Sequence, residues 1–230
     1  VLGFGALWLL HVGILLSFMV YLPFSKHLHL MAAPFNIFFQ NLDVRGGLKP
    51  IENIEEQEHF GVGSVAELTW KQALDAATCT ECGRCTDLCP AYATDKPLSP
   101  RDLILDIKAA IAGEPPMHQR EVLHGRAEFA PLTAAMALTN GVVHEETLWS
   151  CVTCGACMEA CPVFIEHVPT IVDMRRHLVL EQSSIPETAE QALVSMERRG
   201  HPWRGTQHDR ASWMSGLDVP EFTGEGQEYL

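Results

Sequence analysis

No charged side chain occurs before Lys26, and His11 is the only strongly polar group between Val1 and Ser25. About 20 apolar residues cross a hydrocarbon core of roughly 30 Å, so this stretch predicts a transmembrane helix. A buried core helix is the alternative, but the uncharged run is longer than such a helix needs. With no initiator Met, basic leader region or small-residue cleavage site at the start, a secretory signal is not the expected reading. Cysteine is missing everywhere except in two groups of four, so none remains for a disulfide framework and a reducing compartment is expected. Basic residues are scarce: 16 Lys and Arg face 29 Asp and Glu, for a net charge of −13, which argues against nucleic acid as a partner. Alternating apolar and polar strand patterns are nearly absent, so the chain should be mainly α-helical.

What charge there is divides unevenly. Residues 1–50 carry +2, leaving −15 for the remainder. Lys26, Arg45 and Lys49 follow the apolar helix, and the positive-inside rule places that end in the cytoplasm. The membrane segment is expected to run from about Val1 to Met31 with Pro23 inside it. Pro34 then opens an apolar stretch, Phe35–Phe39, suited to the membrane surface. Residues 1–42 therefore form a membrane part, and the Gly-rich, charged residues 43–63 a linker. Ser64 is expected to cap a helix through Thr78, Ser99-Pro100 to start another, and Val168–Leu180 and Pro186–Arg199 to form two more, the last closed by Gly200. Residues 64–200 read as one domain, and 201–230 as a linker toward a further domain.

Two segments carry the chemistry: CTECGRCTDLCP at 79–90 and CVTCGACMEACP at 151–162. Both fit C-x2-C-x2-C-x3-C-P, which is the only internal repeat. Three cysteines at two-residue intervals wrap three corners of an iron–sulfur cubane, and the fourth is carried away by the next turn. In two-cluster ferredoxins that fourth Cys ligates the other cluster. One [4Fe-4S] cluster is therefore expected on Cys79, Cys82, Cys85 and Cys161, and a second on Cys151, Cys154, Cys157 and Cys89. Gly83 and Gly155 let backbone N–H groups approach the sulfides. Four-cysteine zinc sites also use C-x2-C pairs, but they do not call for a third Cys at the same step followed by C-P, twice over. The 61 residues from Pro90 to Ser150 exceed what a compact β-rich ferredoxin would use. With helical patterning there, the domain resembles the α-helical ferredoxins of succinate dehydrogenase and heterodisulfide reductase iron–sulfur subunits.

Ionisable groups inside a membrane segment point to function. His11 and His29 are 18 residues apart, five helical turns or about 27 Å along one face of a straight helix. His27 would point roughly 160° away from His11. The segment H-x11-P-F-S-K-x2-H resembles the last helix of the nitrate-reductase gamma-subunit type of cytochrome b. That resemblance implies that His11 and His29 are axial ligands of b-type haem, His27 less so, each completed by a histidine from a helix outside this sequence. The other histidines follow no ligand spacing, and Arg175-Arg176-His177 reads as a solvated helix face.

The order of parts, with ELTWKQALDAATCTECGRCTDLCPAYATDKPLSP between the apolar helix and the second motif, resembles the membrane-bound heterodisulfide reductase-related iron–sulfur proteins. Within these it is most similar to the electron-transfer-flavoprotein:menaquinone oxidoreductases. The expected fold is one transmembrane helix, the last of a cytochrome b-type bundle, followed by an α-helical ferredoxin domain with two clusters. The resemblance implies an oxidoreductase of the inner membrane, its ferredoxin domain cytoplasmic, relaying electrons between electron-transfer flavoprotein and quinone. Heterodisulfide- or lactate-type oxidoreduction, and a non-catalytic electron-transfer subunit, are the alternatives. The catalytic residues are expected outside this sequence.

Overall fold

A computed structural model describes residues 2–25, 27–43, 46–51, 53–114, 137–203 and 212–218. Among them the regular structure is helical. The only β pairings are isolated bridges, Ser64 with Ala137 and Thr139 with Val143. The chain forms two compact units, Val1–Ser183 and Ser184–Leu230.

The first unit opens with α1 (Leu2–Tyr21). The segment Gly3–Phe24 is long and apolar enough to cross a membrane, and none of it is buried against the rest of the protein. The expected helix to Met31 is not continuous. A 3-10 turn at Leu22–Phe24 carries Pro23, Ser25 is extended, and α2 (Leu28–Phe38) starts anew. Pro23 has no N–H to continue the ladder, which is the physical reason for the break. Pro34 does not open the apolar stretch either; it lies inside α2, where Ala32 and Asn36 are buried.

Ser64 begins only a 3-10 turn, Val65–Glu67, and Leu68 returns to an extended ψ of 131°. Thr69 then caps α3 (Trp70–Thr78). Its hydroxyl accepts from the Gln72 N–H (3.2 Å), while Gln72 Oε1 accepts from the Thr69 N–H (2.9 Å). Ser64 has a capping box of its own, its N–H donating to Glu67 Oε2 (3.1 Å), but that turn ends at Leu68 before the helix restarts. The first motif supplies α4 (Arg84–Asp87) and α5 (Pro90–Ala93). Next comes α6 (Pro100–Ala112), capped by Ser99 as expected and closed by Gly113 in the left-handed conformation. Residues 115–136 lie outside the described residues. Then follow α7 (Glu145–Trp149), α8 (Ala156–Ala160) and α9 (His167–Leu180).

The core joins one face of α6 (Leu103, Ile104, Ile107) to one face of α9 (Ile171, Met174, Leu178), with Leu138, Val142 and Leu148 between them. The segment ending at Gly63 docks on α9: the Val62 N–H donates to Asp173 O (3.0 Å). Gly61 is required there, because φ is +75° and a Cβ would stand 2.1 Å from that same carbonyl. The second unit contains α10 (Glu187–Arg199), whose first turn holds Glu187 and Glu190 and whose last turn holds Arg198 and Arg199, matching the helix dipole. Gly200 closes it at φ 73°.

Candidate iron–sulfur centres

The two cysteine motifs adopt the same backbone. The residue before the second cysteine is left-handed in both, Glu81 at φ 60° and Thr153 at φ 54°. The glycine after it is left-handed as well, Gly83 at 81° and Gly155 at 77°. Thr153 is β-branched, so this conformation is strained and persists only where its surroundings impose it. Each glycine is the N-cap of a short helix, α4 or α8, that carries the third cysteine in its first turn. The turn folds an N–H back onto the first sulfur: Thr153 N–H to Cys151 Sγ at 3.4 Å, with Glu81 N–H acting likewise on Cys79. Successive left-handed turns of this kind form a concavity of N–H groups that suits an anionic group.

The folded chain sorts the eight cysteines into two cavities. One is lined by Cys79, Cys82, Cys85 and Cys161. The other is lined by Cys89, Cys151, Cys154 and Cys157. Each motif thus contributes its first three cysteines to one cavity and its fourth to the other. Among the described residues no three His, Cys, Asp or Glu side chains converge closely enough to hold a single ion. The cysteines ring a space instead, and four thiolates around it are the donor set of a [4Fe-4S] cluster.

The cavities are neighbours. Helices α4 and α8 pack on each other, and Cys85 and Cys157 share one small apolar cluster with Val168. Burial pushes the Cys79 thiol up to about 11 and Cys157 up to about 12. Burial by itself therefore favours thiols, and a cationic metal centre is what would make four adjacent thiolates acceptable. Cys82 and Cys154 are exposed, so each cavity has one cysteine at the solvent edge.

Three supporting side chains were not legible as such in the sequence. His167 is buried against the first cavity, and burial pulls it down to about 4. Its Nδ1 stands 3.1 Å from Ile165 O, so a neutral ring with the proton on Nδ1 satisfies the carbonyl. Ile165 N–H in turn donates to Cys161 Sγ (3.4 Å). Arg175 is not on a solvated face. Its guanidinium donates to the carbonyls of Leu148 and Cys151 and lies 5.0 Å from the Trp149 ring centroid. Among the described residues no carboxylate pairs with it, and burial lowers its pKa. Arg176 instead pairs with Asp173 at 2.9 Å. Replacing Arg175 by methionine should lower the midpoint potential of a cluster in the second cavity by on the order of 50 mV, because about 1 kcal/mol of lost charge interaction is worth that much to a one-electron couple. Redox titration followed by electron paramagnetic resonance checks this; equal shifts of both clusters would defeat it.

The third support is Asn36 of α2, fully buried beside the first cavity. Its amide donates to Asp75 Oδ1 (2.8 Å) and to Val163 O (2.9 Å) and accepts from Lys71 Nζ (2.9 Å). Helix α2 is thereby bonded to the backbone two residues from Cys161. The histidines of the apolar segment are separated by the break at Pro23. His11 is exposed on α1, whereas His27 and His29 are half-buried, their rings 6.3 Å apart. One continuous helix face carrying His11 and His29 is not formed.

Residues 78–165 match the family described as 4Fe-4S dicluster domain. The chain is 38% identical, over 96% of its length, to the probable iron–sulfur-binding oxidoreductase FadF of Bacillus subtilis, covering 36% of that protein. It is also 38% identical, over 97% of its length, to the EtfAB:quinone oxidoreductase of Syntrophomonas wolfei, covering 33%. A probable membrane-anchored ferredoxin of Chromohalobacter salexigens is 36% identical over 76% of the chain, which covers 27% of it. The chain spans about a third of the length of these relatives. Residues 78–165 belong to the 4Fe-4S dicluster domain family, and over nearly its whole length the chain is similar to one part of FadF and of the EtfAB:quinone oxidoreductase.

Proposed function

We propose that this chain is the electron-transferring segment of a quinone-linked oxidoreductase, attached to the cytoplasmic face of the inner membrane through α1. Cys79, Cys82, Cys85 and Cys161 hold one [4Fe-4S] cluster, and Cys151, Cys154, Cys157 and Cys89 hold the other. Such clusters supply one-electron redox capacity at two adjacent points. The observation that carries this reading is the sorting of the cysteines into two neighbouring cavities.

The chain's own residues prepare both points. Glu81 and Thr153 turn their N–H groups onto sulfur, while Arg175 holds the carbonyl of Cys151 and places positive charge at the second cavity. The bonds from Asn36 tie the first cavity to α2 and so to the apolar segment. Exposed Cys154 offers a solvent edge to a soluble donor, for which electron-transfer flavoprotein is the candidate given the quinone oxidoreductase relative.

His11, open on α1, would hold a b-type haem together with a histidine from another helix, and His29, ahead of His27, would hold a second. Reduced-minus-oxidised spectra of the full-length protein in membranes should show b-type bands, and His11→Ala should remove about half of their amplitude, one haem of two. Absent bands would dispose of the haem assignment and leave the clusters untouched. Anaerobic mixing with reduced electron-transfer flavoprotein should bleach the cluster absorbance. Failure to do so, with dithionite still bleaching it, would refute that donor.

A further inference from the structure

Helix α2 is amphipathic in an unusual setting. Ala32 and Asn36 are turned into the ferredoxin core, while Met31, Phe35 and Phe38, at helical spacing, remain exposed. Phe38 is 79% and Phe35 60% exposed, beyond what a monomer tolerates as scattered apolar surface. The patch continues past α2 onto the domain itself. Phe39 packs edge-on against Phe38 (centroids 5.0 Å apart) and against Trp70 (5.3 Å), the first residue of α3. Trp70 is itself 64% exposed.

We infer that Phe35, Phe38, Phe39 and Trp70 form a lipid-contacting face that seats the ferredoxin core directly on the phospholipid headgroup layer. The inference rests on reading α1 as a membrane span. The occupant follows from chain continuity: the apolar segment ends at Phe24, and α2 begins four residues later, so this face starts where the bilayer interface does. Rigid aromatic rings with an apolar body favour that depth, and the Trp indole N–H finds polar partners there. The buried bonds of Asn36 to Asp75 and Val163 make the seat stiff. A domain held this way keeps the cavity of Cys161 on its membrane side instead of swinging on a tether.

Fluorine NMR of the protein in lipid nanodiscs, with 5-fluorotryptophan at its five Trp positions and Trp70→Phe and Trp8→Phe for assignment, tests this. Phospholipid spin-labelled at the headgroup should erase most of the Trp70 signal, while a soluble gadolinium chelate should leave it. Broadening by the chelate alone would show a water-facing surface, and broadening by neither would show a protein neighbour; each overturns the inference. Trp8 separates the two levels of the argument. Phospholipid labelled along its acyl chain should broaden Trp8; if it does not, the span itself fails and the lipid face with it. If Trp8 responds and Trp70 does not, only the lipid face fails.

Discussion

Replacing Cys89 with serine should abolish the cluster of the second motif and spare the cluster of the motif to which Cys89 belongs. The reason is geometric: Cys89 lines the cavity of Cys151, Cys154 and Cys157, whereas Cys79, Cys82 and Cys85 share theirs with Cys161. Iron content should fall from about eight to about four atoms per chain, and one of two electron paramagnetic resonance signals should vanish. Cys161→Ser should give the reciprocal result. The exposed cysteines supply the assignment, because Cys82→Ser and Cys154→Ser each perturb one cluster with the least disturbance to packing. The idea sinks if Cys89→Ser alters only the signal that Cys82→Ser alters. Cys161→Ser should also be the more destabilising of the pair. Cys161 is held by the Ile165 N–H, inside the buried network that joins Val163 and Glu166 to α2 and α3.

Asn36→Leu should cost on the order of 3 kcal/mol of stability, since it strands several buried groups at once. Val163 O loses a donor, Asp75 loses one of its donors, and Lys71 loses an acceptor. Leucine is close in shape, so the loss is one of hydrogen bonds more than of volume. Asp75 is already raised by burial, against the pull of Lys71 at 2.6 Å. A carboxyl whose folded pKa exceeds its unfolded value binds its proton more tightly when folded, so its contribution falls as pH rises through that window. Removing the Asn36 donor raises it further, and the defect of Asn36→Leu should therefore grow as the pH is raised from the acid side. Urea unfolding followed by cluster absorbance measures both effects. Asn41→Ala, at an exposed position whose contact with Glu166 comes from its backbone N–H, should change stability by under about 0.5 kcal/mol. Equal effects from the two variants would show that the buried network has no special weight.

Much of this was legible in one dimension because it is local. Helix starts at Ser99-Pro100 and the stop at Gly200 depend on φ and on a few neighbouring hydrogen bonds. The repeated C-x2-C-x2-C-x3-C-P prescribes a turn of fixed size, and both copies adopt it down to the left-handed Glu81 and Thr153. The boundary errors were local too. Pro23 broke a helix that apolar composition alone would extend, and the extended Leu68 ended the turn begun at Ser64, so that α3 starts afresh after Thr69.

The sequence by itself determined the donor set: eight cysteines in two matched motifs, acidic soluble residues and one uncharged apolar helix. Only the tertiary structure decided what stands beside each cavity. Arg175 reaches Cys151 from 24 residues away, and Asn36 reaches Val163 from 127. Such contacts arise where packed helices cross, and no periodicity along the chain encodes which polar side chain the crossing will bury. The docking of α2 on α3, against the break at Pro23, is likewise a property of packing. It fixes α2 to the helix that leads into the first cysteine motif.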